Sequence, residues 1–449
     1  MLGVPALLQL LVVFIIIVFA TARKVHIGLA AAAGGILLSL WRGIGLGTIS
    51  SLVAGELFKP DTILLVILMA AIMAFSSAMK KSGAMAKFSA SIGEISPSTR
   101  TAMAITPLLI GTLPMPGGAI LSAPLVESLD QNHEHSPVTL TAANYWFRHM
   151  LELFWPLYPA FILTTSLSGI PVTRLMMLNF YALPVLAFLG FTFILPSKKN
   201  KRIPADRAAR GSFPGSSAGS LSGKVAVFAR GAAPLALVLG SYIVLALLWS
   251  TLNLGASLSD SANALASRYA PILLGLLAGS LYIGFGPSGF ASFRNCITAS
   301  TLKLIAVIIG IRIFSALLGA AGVAQAAAEE LAGAGIPPIF AVALIPLITG
   351  LVTGLGLGYV GLAFPIVLGL VPEEGAFPRE AAIVLAGAFG YAGMMLSPLH
   401  SCLVVSVEHF RSSLPATIRK CILPIGIFLA IAMLYVALLV ILLGRGYPA

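Results

Sequence analysis

The sequence contains two copies of one pattern of glycines and prolines. Residues 107–118 read Pro-Leu-Leu-Ile-Gly-Thr-Leu-Pro-Met-Pro-Gly-Gly, and residues 346–358 repeat the pattern as Pro-Leu-Ile-Thr-Gly-Leu-Val-Thr-Gly-Leu-Gly-Leu-Gly. Further along, Trp-Pro-Leu-Tyr-Pro at 155–159 is echoed by Ser-Pro-Leu-His-Ser at 397–401. Paired interruptions of apolar segments in two halves of a chain are typical of secondary transporters, in which the interruptions form the binding site.

The composition places the chain in a membrane. Hydrophobic residues make up 58% of the sequence and charged residues only 9%, which excludes an ordinary soluble domain. Apolar runs long enough to cross a hydrocarbon core of ~30 Å predict about ten transmembrane helices. They are 4–20, 25–41, 62–78, 140–163, 172–195, 226–251, 269–285, 302–321, 381–407 and 422–443.

Two further apolar segments carry Gly/Pro clusters at their centres, at about 101–129 and about 338–370. Helix-breaking backbone at membrane depth must be shielded by protein or line a wet cavity, so both are predicted to be re-entrant hairpins. The fold class predicted is all-α and polytopic, with each half containing three helices, a hairpin, a broken helix and a last helix.

The predicted halves are residues 1–195, with a broken helix at about 139–166, and residues 226–449, with a broken helix at about 380–408. Five crossings in each half is an odd number, which predicts that the two repeats have inverted topology. Residues 196–225 form a polar, basic linker between them.

The distribution of the Lys and Arg residues predicts how this arrangement is oriented in the membrane. Short cytoplasmic loops collect positive residues, and most of the 27 in the chain fall on one side when the linker is cytoplasmic and both termini are periplasmic or extracellular. The predicted location is therefore the inner (cytoplasmic) membrane, with the lipid bilayer as the surrounding partner. The net charge of +12 reflects these loops, and without aromatic interleaving it predicts no nucleic-acid partner.

The tips of the hairpins and the breaks in the helices are the candidate binding positions, since broken helices expose backbone N–H groups to anions and C=O groups to cations. The alternative is that the glycines only allow tight helix packing. In the first half the candidates are Thr112, Pro114, Pro116, Gly117, Gly118, Pro156 and Tyr158. In the second half they are Thr349, Gly350, Thr353, Gly354, Gly356, Ser397, Pro398, His400 and Ser401.

Charged groups at membrane depth are further candidates because they are costly to insert. Arg148 and Glu152 stand four apart with His149 between them, so they form either part of the site or a self-neutralising pair. Arg312 has no carboxylate nearby in sequence, so it either meets an anionic substrate or pairs with Glu152 across helices. His400 either titrates near neutral pH or serves a structural hydrogen bond.

Enzyme and metal chemistry are not predicted. Ser288 lies in a Gly-x-Ser-Gly pattern found in intramembrane proteases, but a Pro/Ser/Gly turn in a short loop is the ordinary explanation. His133 and His135 lack the spacing of a helical zinc site. The three cysteines (Cys296, Cys402 and Cys421) are expected to be packing residues. No ATPase motif is present, so no cofactor is expected, and an ion gradient of Na⁺ or H⁺ would supply the energy.

Three motifs carry a family resemblance: Leu-Pro-Met-Pro-Gly-Gly at 113–118, Tyr-Trp-Phe-Arg-His-Met-Leu-Glu at 145–152, and Leu-Ser-Pro-Leu-His-Ser-Cys-Leu at 396–403. With them the chain resembles domain of unknown function family 401, a family of integral membrane proteins. Its repeat plan is also similar to the ion transporter superfamily, although the Ser-Asn-Thr hairpin signature of the dicarboxylate carriers is missing. The second resemblance implies an elevator-like motion and a homodimer.

The function predicted from the sequence is secondary active transport, by alternating access, of a small organic anion in symport with an ion. One alternative is a cation/proton antiporter in which Glu152 holds the ion. Another is a lipid-phosphate flippase in which Arg148 and Arg312 meet a headgroup. A membrane subunit without a transport role is the last alternative.

Overall fold

The computed structural model describes residues 4–85, 96, 98–114, 118–130, 134–196, 221–287, 289–371 and 377–444, with only the backbone for 221–227 and 444. Within these ranges the regular structure is helical and contains no strand. The prediction of an all-α protein is confirmed. Pro116, Gly117, His133, Ser288 and most of the predicted linker lie outside the described residues.

The described residues of the first half form ten α-helices before the linker. They are α1 (Ala6–Ala22), α2 (Ile27–Trp41), α3 (Leu46–Leu57), α4 (Pro60–Lys81), α5 (Thr99–Gly111), α6 (Gly118–Leu129), α7 (Pro137–His149), α8 (Pro159–Ser168), α9 (Val172–Asn179) and α10 (Ala182–Leu189). A π-helical turn, Gly190–Ile194, extends α10.

The second half repeats the order of short helix pair, interrupted helix and final helix. Its helices are α11 (Leu221–Thr251), α12 (Asp260–Gly284), α13 (Ala299–Ala321), α14 (Val323–Gly333), α15 (Ile339–Thr353), α16 (Gly356–Leu370), α17 (Arg379–Leu396), α18 (Ser401–Phe410) and α19 (Leu414–Gly444). A 3₁₀ turn, Phe290–Phe293, joins α12 to α13.

Seven of the helical stretches in the described ranges are long and apolar enough to cross a membrane. They are Pro60–Lys81, Val172–Ile194, Phe228–Thr251, Asp260–Gly284, Ala299–Ala321, Arg379–Phe410 and Leu414–Leu443, and each coincides with one of the ten predicted crossings. The other three predicted crossings fall on α1, α2 and the interrupted pair α7–α8. At a rise of about 1.5 Å per residue, each of these helices is shorter than a core of ~30 Å. The total of ten and the inverted topology stay predictions.

Proline explains where the interrupted helices stop and restart. The helix α7 ends at His149, and α8 begins with Pro159 at its first position. Proline has no N–H to donate and tolerates the first turn of a helix but not its interior. In the second half α17 ends at Leu396, just before Ser397 and Pro398, and α18 begins at Ser401.

The interrupted helix of the second half lies at the centre of the protein. In the most apolar stretch of the span Arg379–Phe410, 78% of the residues are buried. In the corresponding stretch of Leu414–Leu443 only 28% are buried. Glycines allow this close packing: a Cβ atom at Gly393 would overlap the carbonyl of Leu347, and one at Gly350 would overlap the carbonyl of Gly390. Gly350, a predicted site residue, therefore serves the contact between α15 and α17.

We expect Gly393→Ala to lower the free energy of unfolding by about 1–3 kcal/mol, because an added methyl group must push apart two packed backbones. Gly426→Ala is the matched control, since Gly426 is also helical but has no neighbouring atom within 4 Å of a Cβ. Alanine there improves helix propensity by up to ~1 kcal/mol. Thermal unfolding of both variants in detergent measures the difference, and equal melting temperatures would contradict this packing.

Candidate functional site

The first break, residues 150–158, is held by the end of α5. The Tyr158 hydroxyl donates to the carbonyl of Gly111 at 2.6 Å, and the Trp155 indole N–H donates to the carbonyl of Thr112 at 2.8 Å. The last carbonyls of a helix have no partner inside it. Two side chains of the break therefore satisfy carbonyls at the end of α5. We call the described residues 112–114 and 118, between α5 and the start of α6, the first tip.

The second break, residues 397–400, is held in a related way by the end of α15. The Ser397 hydroxyl donates to the carbonyl of Leu351 at 2.6 Å. Gly354 ends α15 with φ +61°, and a Cβ there would approach the backbone nitrogen of His400 to 2.8 Å. Glycine permits both this left-handed turn and the close approach. The second tip, residues 354–355, thus lies directly on the second break.

Arg148 reaches from the end of α7 to the first tip. Its guanidinium group lies flat against Gly118, where any Cβ atom would overlap Nη1, Nη2 and Cζ. Arg148 is only 4% exposed, and its Nη1 is buried without a hydrogen-bond partner among the described residues. Gly118 is also the first residue of α6, so the guanidinium faces the positive end of a helix dipole.

His149, the next residue, points to the other half of the chain. Its Nε2 lies 3.0 Å from Nε2 of His400, in the second break. Its Nδ1 lies 2.8 Å from the carbonyl of Tyr145 and donates to it. The two imidazole rings meet edge to face, with centroids 4.6 Å apart. The first and second breaks therefore touch through this histidine pair.

Glu152 reaches the second tip. Its Oε1 lies so close to Gly356, the first residue of α16, that a Cβ there would overlap it. The side chain also lines a cavity of ≈20 Å³ together with Thr164, Asn179 and Tyr359. No hydrogen bond or ion pair to the carboxylate comes from the described part of the chain. This carboxylate faces the positive end of a helix dipole, where negative charge is stabilised.

The alternative of a self-neutralising pair between Arg148 and Glu152 finds no ion pair among the described residues. It assumed that one continuous helix places positions i and i+4 on a common face. Instead α7 ends at His149, and residues 150–154 form turns. The Arg148 guanidinium lies against Gly118, and the Glu152 carboxylate lies against Gly356.

Comparison with known proteins identifies the family. Residues 6–214 and 269–441 match the protein family of unknown function DUF401. The chain belongs to this family. The predicted resemblance to domain of unknown function family 401 is therefore confirmed, and the matched ranges contain both tips and both breaks.

The fold of this DUF401 member is similar to a solved transporter structure. The crystal structure of the Alcanivorax borkumensis YdaH transporter, reported to have an unusual topology, matches with a TM-score of 0.60 and 15% sequence identity. The match covers 90% of each chain. No curated protein matches the chain at the level of sequence. The likeness supports a multi-pass membrane fold for this chain.

Arg312 is not the unpaired cation that the sequence predicted, and its partner is not Glu152. Its guanidinium binds Glu56 at 2.6 Å and Asp61 at 3.0 Å. Asp61 also accepts from Arg268 at 3.1 Å and from the Tyr269 hydroxyl at 2.8 Å. This buried network joins α13 to α3, α4 and α12, and the structure gives Arg312 no contact with either tip.

The remaining predicted residues are either held by hydrogen bonds and packing or exposed at the protein surface. The hydroxyls of Thr112, Thr349 and Thr353 donate to carbonyls of their own helices. The carbonyl of Pro114 accepts from Ser76 at 3.4 Å. Pro156 is buried in the first break, whereas Pro398 and Ser401 are exposed at the second.

Cys402 is a residue that the sequence reasoning assigned only to packing. In the fold its Sγ lies together with the imidazole nitrogens of His149 and His400, all within 4.8 Å of one another. The sequence offers one signal for a shared role of these residues, which is that Cys402 follows His400 by two positions. Their partner, His149, lies in the other half of the chain, which spacing cannot reveal.

We expect Arg312→Met to destabilise the protein by about 3–5 kcal/mol, because two buried carboxylates lose a shared cation. Arg174→Met is the control, since Arg174 is 41% exposed in its ion pair with Glu380 and such pairs contribute ~0–1 kcal/mol. Thermal unfolding measures both. A melting temperature for Arg312→Met that matches the wild type would contradict the role of this network.

Proposed function

We propose that the protein is a secondary active transporter that carries a small anion, with Arg148 as its main contact. The observation that supports this most strongly is the guanidinium at the first tip. It is almost fully buried and lacks an ion-pair partner among the described residues. A buried charge without a partner is strongly unfavourable, so a bound anion would stabilise this arrangement.

The surroundings of Arg148 favour an anion further. The first residue of α6, Gly118, lies against the guanidinium, and the N-terminus of a helix offers free N–H groups and a positive dipole end to a negative ligand. A carboxylate or phosphate group placed there accepts from the guanidinium and from the helix together. Arginine is suited to this because its planar fork matches two oxygens at once.

The two halves differ in a way that leaves one anion to be supplied from outside. At the second tip, the N-terminus of α16 faces the Glu152 carboxylate of the protein itself. At the first tip, the N-terminus of α6 faces the Arg148 cation. An external negative group would therefore improve the electrostatic balance at the first tip but is not needed at the second.

The cavity beside Glu152 supports coupling to a small cation. A volume of ≈20 Å³ is enough for one water-sized occupant. Among its lining groups, the Oδ1 atom of Asn179 is buried without a partner in the described structure. Oxygen atoms from a carboxylate, an amide and a hydroxyl are the ligands of hard cations. We infer that Na⁺ binds here, or that H⁺ binds to Glu152.

Alternating access would move the tips and breaks together, because hydrogen bonds join them within each half. The similar fold of the YdaH transporter supports a transport role of this general kind. We propose further that the protein lies in the inner membrane, with re-entrant tips and a cytoplasmic linker. We also propose that it forms a homodimer and that its transport motion is elevator-like.

A cation/proton antiporter is the second candidate, and the buried Glu152 beside a small cavity is the observation that favours it. In that case Glu152 is the essential ion-binding group and Arg148 has no ligand of its own. The flippase alternative receives less support, because Arg148 and Arg312 share no partner among the described residues.

We expect small anions to raise the melting temperature of the purified protein through Arg148. The probes are acetate, succinate, citrate, gluconate and inorganic phosphate, each with Na⁺ or K⁺. A ligand at ~100 times its dissociation constant stabilises the folded state by about 2.7 kcal/mol, which is a shift of several degrees. Arg148→Met should abolish the shift, whereas Arg174→Met should retain it. An anion response of Arg148→Met equal to that of the wild type would overturn the proposal.

The variant Glu152→Gln separates the two candidate functions. For an anion transporter we expect the anion-induced shift to persist while its dependence on Na⁺ or pH is lost, because only the cation position changes. For an antiporter, no anion response exists in the wild type, and Glu152→Gln removes the cation response. Melting curves across Na⁺ concentration and pH, with Glu380→Gln as control, measure this.

A further inference from the structure

Three potential metal ligands converge where the two breaks touch. The ring nitrogens of His149 and His400 and the Sγ atom of Cys402 lie within 4.8 Å of one another. Both histidines are 4% exposed, and Cys402 is half-buried. The residues come from both halves of the chain, so the fold, rather than a local sequence motif, assembles the cluster.

We propose that His149, His400 and Cys402 bind one transition-metal ion of the zinc type, with a fourth coordination position left open. Imidazole nitrogen and thiolate sulfur are the ligands that Zn²⁺ prefers. Sites with three protein ligands commonly leave the fourth position to water or another ligand. This site is separate from the anion position at Arg148 and does not depend on the proposed transport.

The geometry needs little adjustment to hold such an ion. Bond lengths of about 2.0–2.1 Å to nitrogen and about 2.3 Å to sulfur place tetrahedral ligands ~3.3–3.7 Å apart. The two Nε2 atoms are 3.0 Å apart and must separate by a few tenths of an ångström, and the longest distance in the cluster, at most 4.8 Å, shortens by up to about 1 Å. Side-chain rotations on that scale are ordinary within a break.

The hydrogen bonds around His149 already orient it as a ligand. Its Nδ1–H donates to the Tyr145 carbonyl, which leaves the Nε2 lone pair directed at the cluster. A metal-bound histidine usually donates its second nitrogen to a carbonyl or carboxylate in this way. His400 differs, because its Nδ1 is buried without a partner among the described residues.

Two features near Cys402 suit a bound ion. Cys402 is the second residue of α18, and a helix N-terminus stabilises negative charge, here the thiolate. Leu399 and Ser401 beside it are exposed at the protein surface.

Such an ion would tie the start of α18 to the end of α7, and so join the two breaks. The alternative is that His149 and His400 only share a hydrogen bond, with Cys402 as a packing neighbour. The two cases differ in whether the thiol is a ligand, which spectroscopy of a cobalt-substituted site reports directly.

The test is titration of the purified, metal-free protein with Co²⁺, followed by competition with Zn²⁺. We expect a near-ultraviolet thiolate-to-cobalt charge-transfer band at one equivalent, which Zn²⁺ then removes. In Cys402→Ser the band should disappear and Zn²⁺ affinity should fall by about tenfold or more. Cys421→Ser is the matched control, because Cys421 is a buried free cysteine in α19 away from the cluster, and it should retain the band.

Two results would overturn the proposal. One is a wild-type protein that shows no charge-transfer band at saturating Co²⁺. The other is a Cys402→Ser variant that keeps the band and the affinity of the wild type. Because the first result needs no variant, the test holds even where a substitution impairs folding, and His400→Ala gives a second, independent check of the ligand set.

Discussion

The unpaired backbone groups of broken helices are the constraint on which this structure depends. A helix interrupted inside a membrane exposes carbonyls and N–H groups that lipid cannot satisfy. Here side chains of the breaks donate hydrogen bonds to these carbonyls. Tyr158 and Trp155 donate to carbonyls at the end of α5, and Ser397 donates to a carbonyl at the end of α15. These bonds place each break against a tip, and the positions of the charged side chains follow from that.

The end of α7 and the first break that follows it direct three neighbouring side chains to three different elements. Arg148 meets the first tip, His149 meets the second break, and Glu152 meets the second tip. The same backbone arrangement thus presents a cation at one helix N-terminus and a carboxylate at the other. This difference between otherwise similar halves is the basis of the proposal that the first tip binds an external anion.

The sequence predicted the helical membrane fold, because its apolar runs have the length of membrane spans and its Gly/Pro clusters mark the interruptions. It could not predict the partners of the charged groups. Glu56, which binds Arg312, lies 256 positions away, and His400 lies 251 positions from His149. The sequence left open whether Arg148 and Glu152 form a pair, because spacing alone does not reveal that the helix ends between them at His149.

The most direct test of this account is an experimental map of the protein with the small anion that gives the largest rise in melting temperature. The account predicts density for that anion between the Arg148 guanidinium and the N-terminus of α6, with Glu152 still against Gly356. A map in which Arg148 is paired with Glu152, and in which the anion lies elsewhere, would contradict it.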